Sequence, residues 1–284
     1  MYMKKKLTLA YSTCPNDTYI FYGLAHQKID TQGLSFSITL NDVEHLNQEA
    51  QRGLVDISKL SFAAIGHLME TYGLLRSGVA LGKGCGPLIV ARKGTNLNNL
   101  KSGKIAVPGL WTTASLLLGL FANGIPNVWP MIFDQIMPAV IFGKYDYGVI
   151  IHEGRFTYQN YGLECLVDLG QWWESVTSLP IPLGGIGIRR DLPDDIICKT
   201  ESVIRESIQF AHANPSAPAE YVKAHAQELS DEVIREHIAL YVNEFSIDIG
   251  DEGETAIDTL FAKARERGIL PQSDKSLFAC EGSN

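Results

Sequence analysis

His152 closes an apolar run at 147–151 and is followed by Glu153 and Arg155. An imidazole there suits proton transfer near neutral pH, because its ordinary pKa is about 6.5. The same position equally suits a core histidine satisfied by a neighbour. Asn16 and Asp17 stand in Ser12-Thr13-Cys14-Pro15-Asn16-Asp17-Thr18, just after another apolar run. They either line a cleft or build a turn. Lys59, Leu60 and Ser61 end a third run, and Thr113 and Ala114 follow Gly109-Leu110-Trp111-Thr112. The hydroxyls at these places are helix caps or ligand donors. A helix start also offers unpaired N–H groups and partial positive charge to an anion. Lys59 and Arg155 add positive charge or sit solvated. Asn41 precedes Glu44 by three positions, the spacing of a capping box, and joins the cleft candidates. These groups together suit a carboxylate on a polyhydroxylated small molecule.

Other chemistries lack their patterns. His152-Glu153 begins like a zinc-protease helix, but Phe156 stands where the second histidine belongs. No metal site is expected. Gly82-Lys83-Gly84-Cys85-Gly86 is neither a phosphate loop nor GxGxxG, so no nucleotide or other cofactor is expected either. Gly184-Gly185-Ile186-Gly187 reads as a bend or hinge within a strand. The five cysteines are widely spaced without CxxC and read as reduced, mostly buried thiols. His45, His67, His212, His225 and His237 fall on helical stretches without partners and read as surface or structural.

The elements that must hold these residues alternate. Strand-like runs at 7–11, 35–40, 55–60, 74–82, 87–91, 104–107, 128–133, 147–151, 166–167 and 181–188 are interleaved with helical ones at 16–27, 41–51, 62–71, 112–123, 134–142 and 169–178. Ser61 caps the third helix and Asp134 the fifth. From 194 onward four stretches carry helical spacing: 194–213, 216–228, 230–245 and 252–267. Such alternation predicts an α/β fold with mostly parallel sheets. Extended stretches at 86–93 and 182–190 are the expected linkers. They divide the chain into a discontinuous lobe, 1–92 plus 187–284, and a second α/β lobe, 93–186. Ligands of open α/β sheets bind outside the carboxyl ends of strands, so the cleft lies between the lobes.

The chain has 284 residues, which suits two such units. Its net charge of −8 lacks the footprint of a nucleic-acid binder. An anionic ligand therefore needs a local positive pocket. Residues 1–6 are basic, but the following apolar stretch is too short for a signal peptide, and no window is long enough for a membrane span. These features predict a soluble, cytoplasmic chain; the oligomeric state stays open.

Several segments in order carry a resemblance. Ser12 to Thr18 resembles the S-x-C-P-N-D-T opening of the 1,4-dihydroxy-6-naphthoate synthases, enzymes of the futalosine route to menaquinone. Similar to the same family are Asn41-Asp42-Val43-Glu44-His45-Leu46-Asn47, Lys59-Leu60-Ser61, Leu75-Arg76-Ser77-Gly78 and Ala106-Val107-Pro108-Gly109 with Thr112-Thr113-Ala114. So are Ile150-Ile151-His152-Glu153 with Arg155-Phe156-Thr157-Tyr158, and Ala224-His225-Ala226-Gln227-Glu228-Leu229-Ser230. The resemblance implies a two-lobed fold like the periplasmic binding proteins (type II), used as a lyase without a cofactor. It implies substrate contacts at Lys59, Leu60, Ser61, Thr113 and Ala114, and His152 as proton acceptor. The substrate so implied is cyclic dehypoxanthine futalosine, and the products are 1,4-dihydroxy-6-naphthoate and a three-carbon fragment. Gly154 stands where a serine is common, and Trp111 precedes the threonines. Both touch the cleft lining rather than the base. The rival readings are a chorismate dehydratase of the same pathway and a non-catalytic solute-binding protein.

Overall fold

The computed structural model describes residues 6–124, 126–152, 154–226 and 230–280. Residues 1–5 of the basic start, Glu153 and positions 227–229 of the 224–230 motif lie outside the described residues.

In chain order the strands are β1 (Leu7–Ser12), β2 (Phe36–Asn41), β3 (Ile57–Ser61), β4 (Tyr72–Leu74), β5 (Ala80–Gly82), β6 (Leu88–Arg92), β7 (Ile105–Val107), β8 (Val128–Pro130), β9 (Tyr147–Ile150), β10 (Leu163–Asp168) and β11 (Ile181–Arg189). The helices are α1 (Pro15–Ala25), α2 (Val43–Gln51), α3 (Phe62–Leu68), α4 (Thr113–Ala122), α5 (Ile136–Ile141), α6 (Gly154–Thr157), α7 (Leu169–Thr177), α8 (Asp194–Ala213), α9 (Ala219–His225), α10 (Asp231–Tyr241), α11 (Glu244–Ile247) and α12 (Gly250–Glu266).

Two sheets result, ordered β2-β1-β3-β11-β4 with β5 on β11, and β10-β6-β9-β7-β8. They are mixed, not mostly parallel. β1 runs parallel to β2 and β3, and β7 to β8 and β9. The two strands that carry the chain between sheets, β6 and β11, are antiparallel to all their neighbours. Alternation of strand and helix could not show this, because neither strand is preceded by a helical crossover within its own sheet. Both expected linkers contribute strands: 88–92 pairs in the second sheet and 181–189 in the first.

Glycines make β11 possible. A Cβ at Gly184 would stand 2.7 Å from the Leu60 carbonyl oxygen, and one at Gly185 2.5 Å from Leu74 Cδ1. The glycine run marks close approach inside a sheet.

The first sheet packs on α1 and α8 through Ile20, Phe21, Val203, Ile204 and Ile208. The second packs on α5 through Ile136 and Val140. A further continuous core links the sheets, with Phe62, Ile65, Leu116, Leu117, Trp173 and Leu260 among its members. Shared burial of this kind holds the halves together.

Cys198 and Cys280 form a disulfide, with Cα atoms 6.1 Å apart, which corrects the reduced-thiol expectation. The tail runs beside β4, where Leu74 N–H donates to Leu277 O and Ala279 N–H to Leu74 O. That return brings Cys280 to α8, a juxtaposition that cysteine spacing does not encode. Cys14 and Cys85 are buried and not disulfide-bonded. Among the described residues no helix is long and apolar enough to cross a membrane.

Candidate active site

The carboxyl ends of β1 and β3, the start of α4 and the end of β9 converge on one pocket. Ser12, Asn16, Asp17, Lys59, Leu60, Ser61, Thr113, Ala114 and His152 all line it. Arg155 and Asn41 do not. Arg155 donates to Gly86 O at 2.7 Å and to Asp168 Oδ2 at 2.6 Å. Burial lowers the pKa of its guanidinium, but the Asp168 bond and charge more than offset this, for a net rise. Its charge is thus committed to a structural pair. Asn41 ends β2 and lines a separate groove with Asp42, Glu44 and residues 108–110.

Asp42, not Asn41, caps α2, accepting from Glu44 N–H at 2.9 Å. Glu44 is then released from the capping box and reaches the other lobe. Its carboxylate accepts from Leu110 N–H at 3.0 Å and Trp111 N–H at 3.3 Å. Burial raises its pKa, against the lowering by these bonds. Asp134 is likewise not a cap; it lies inside a short 3₁₀ turn before α5. Ser61 occupies the N-cap of α3 without capping through its side chain. It instead shares both backbone N–H and hydroxyl with Asn47, at 3.1 and 3.3 Å.

Lys59 is buried, and its ammonium lies 3.1 Å from Asp17 Oδ1 and 2.8 Å from Gly78 O. Asp17 also accepts from Ser12 N–H and Oγ–H, at 3.2 and 2.7 Å, and from Asn16 Nδ2 at 2.8 Å. A buried carboxylate persists only when so paired. Lys59 therefore organises the pocket floor rather than offering free charge.

Thr112 caps α4, accepting from Ser115 N–H at 3.3 Å. Thr113 next to it spans the lobes: its hydroxyl accepts from Phe62 N–H at 2.9 Å and donates to Leu183 O at 2.5 Å. That hydroxyl is committed. What α4 leaves for an anion is its first-turn amides, at Thr113 and Ala114.

His152 has φ of 55°, a left-handed conformation rare outside glycine, which turns the ring into the pocket at the end of β9. Its Nδ1 lies 3.3 Å from Cys14 Sγ, while its Nε2 is buried without a partner. His152 itself lines the pocket.

Sequence reasoning missed His237. It is 1% exposed, and its Nε2 lies 2.9 Å from Asn16 Oδ1. Burial first, then the neighbouring His152, holds its pKa well below the usual imidazole value. Tyr241, one turn on, lines the pocket and donates to Cys85 O at 3.2 Å. The available signal was helical spacing: Ile234, His237 and Tyr241 share the buried face of α10. His67 also departs from expectation, lying against Trp111 with ring centroids 4.7 Å apart.

The architecture and sequence both have known counterparts. A crystal structure of a protein from Archaeoglobus fulgidus superposes with a TM-score of 0.87 at 34% identity, covering 95% of this chain and all of that one. The alkanesulfonate-binding protein SsuA from Xanthomonas axonopodis pv. citri, 11% identical, matches with a TM-score of 0.68 over 96% of each chain, which shows the periplasmic-binding-protein-like fold alone. In sequence, a 1,4-dihydroxy-6-naphtoate synthase from Thermus thermophilus is 48% identical over 96% of this chain and 98% of its own. A protein of the same name from Streptomyces coelicolor is 42% identical over 93% and 95%. The sequence model of a menaquinone-biosynthesis family matches residues 7–266, so the chain belongs to that family.

Proposed function

We propose that the chain is a 1,4-dihydroxy-6-naphthoate synthase, a lyase that cleaves cyclic dehypoxanthine futalosine to 1,4-dihydroxy-6-naphthoate and a three-carbon fragment. Beside the full-length relatives of that name, one observation carries the reading: the unpartnered, buried Nε2 of His152 in a pocket between the lobes.

The residues divide the work as follows. His152 Nε2 takes the proton that starts bond cleavage. Cys14 Sγ, 3.3 Å from Nδ1, holds the ring in place. The electron pair of the broken carbon–carbon bond enters a ring that becomes aromatic, so no oxidant is needed. Amides at the start of α4 hold the substrate carboxylate or a developing oxyanion. Leu60, Ser61 and Ala114 shape the wall, and the Asp17–Lys59 pair keeps Asn16 and Ser12 in place. The first lobe is 6–82 with 181–280 and the second begins at 88, a division supported by strand pairing. Closing them excludes water from the reaction. Such a biosynthetic enzyme works in the cytoplasm on a small anionic substrate.

Incubation with cyclic dehypoxanthine futalosine, with products identified by mass, tests the assignment. The naphthoate and a three-carbon fragment are expected. Dehydration of chorismate instead, or ligand binding without turnover, would assign one of the rival activities.

A further inference from the structure

Trp111, in the second lobe, has both its backbone polar groups satisfied from the first. Its N–H donates to Glu44 Oε1 and Oε2, each at 3.3 Å, and Leu110 N–H beside it donates to Oε1 at 3.0 Å. Its carbonyl accepts from Asn47 Nδ2 at 3.3 Å. Asn47 follows Glu44 by three positions on α2 and is 0% exposed. Its neighbours fix the orientation of its amide. Ser61 N–H can only donate, so the atom 3.1 Å from it is Oδ1. Nδ2 then faces three acceptors, each at 3.3 Å: Glu44 Oε2, Ser61 Oγ and Trp111 O. One buried amide thus ties a pocket residue of the first lobe to the turn that starts α4 in the second. The Trp111 ring continues the contact against His67 of α3. Val43, Ser61, Thr113 and Ala114 line the pocket, while Glu44 lines the outer groove. These bonds therefore stand behind the pocket wall rather than in it.

We propose that Glu44 and Asn47 are positioning residues for the reaction: by clasping Trp111 they hold the lobes shut at the start of α4 and set the Thr113 and Ala114 amides in register with Ser61. The identity of the substrate rests on the lyase reading of the pocket; the clasp rests on the hydrogen bonds alone. Glu44 takes the N–H of Trp111 and Asn47 takes its carbonyl, so the peptide planes on both sides of that residue are fixed. Thr113, two residues on, starts α4. Amides already in place bind a carboxylate more tightly than amides that must be ordered on binding, because the ordering is subtracted from affinity. The pairing is also specific in sign. A carboxylate on α2 meets two N–H groups, and an amide beside it supplies the N–H that a carbonyl needs.

The test uses Glu44→Gln and Asn47→Asp, singly and together, in steady-state kinetics with cyclic dehypoxanthine futalosine. Each single change sets like groups against each other: amide against amide in the first, carboxylate against carboxylate in the second. Each should raise KM about tenfold, the weight of one hydrogen bond to a charged group, and leave kcat within about threefold, since neither residue touches His152. The double variant again sets one amide beside one carboxylate and should recover most of the lost KM. Wild-type KM in both single variants overturns the proposal. So does a lowered kcat at unchanged KM, and so does a double variant no better than the worse single one, which marks a packing role. Small-angle scattering of ligand-free protein reads the closure directly. Wild type should have a smaller radius of gyration than either single variant, and equal radii overturn the proposal. Where Asn47→Asp does not fold, Glu44→Gln carries both measurements, because it leaves the partner of Ser61 N–H in place. Should wild type leave cyclic dehypoxanthine futalosine untouched, the lyase reading fails first and the scattering comparison judges the clasp by itself.

Discussion

The proposed base, His152, lies two residues beyond the end of β9 and lines the pocket. His152→Asn should bind substrate within a few fold of wild type and lose roughly 10²–10⁴ in rate, the usual weight of a general base. Near wild-type turnover would place the base elsewhere. His237 escaped because its partner, Asn16, is 221 positions away. Its burial has a pH consequence. A histidine held neutral in the fold, with its pKa below the unfolded value, contributes stability above about pH 6.5 that is lost as pH falls toward the lower folded value. Over that window its unfolding free energy should fall by about 1.4 kcal/mol per pH unit. Denaturant titrations from pH 7 to 5 should show the slope in wild type and a shallower one in His237→Gln. Parallel slopes would mean that His237 does not titrate on unfolding.

At the scale of elements, periodicity located most strands and helices to within a few residues, and the long helix at 194–213 in full. Failures came where a local signal had two readings. Asn41 and Asp42 both suit a cap, and backbone geometry gives the role to Asp42, freeing Glu44 to grip the loop before α4. Gly109 is the complement of that grip. Its φ is +153°, and a Cβ there would lie 2.3 Å from Glu44 Cδ. Gly109→Ala must displace the carboxylate and strain the backbone, at a cost of about 1–3 kcal/mol. A lowered melting temperature with weakened substrate binding is expected; unchanged values for both would show that the Glu44 contact contributes nothing.

For the molecule as a whole, the two-lobed α/β plan was legible, but the mixed sheets and the tail were not, since both depend on contacts between distant segments. Cys198–Cys280 closes a separation of 82 residues around α8 to α12. A link of this length stabilises by about 2–4 kcal/mol. Cys280→Ser should lower the melting temperature without altering kcat, because the bridge lies outside the pocket lining. A variant as stable as wild type under non-reducing conditions would show that the tail's hydrogen bonds to Leu74 suffice.

The place of β11 also sets an order in time. It sits between β3 and β4 in the middle of the first sheet, yet it is the last strand to leave the ribosome. Strands β1 to β5 are made long before the strand that joins them, while the strands of the second sheet, 88–168, form one uninterrupted stretch. Domains tend to fold as units during synthesis. The lobe that begins later in the chain is thus the first able to finish, and the N-terminal strands must wait with an open sheet edge until residue 189 emerges.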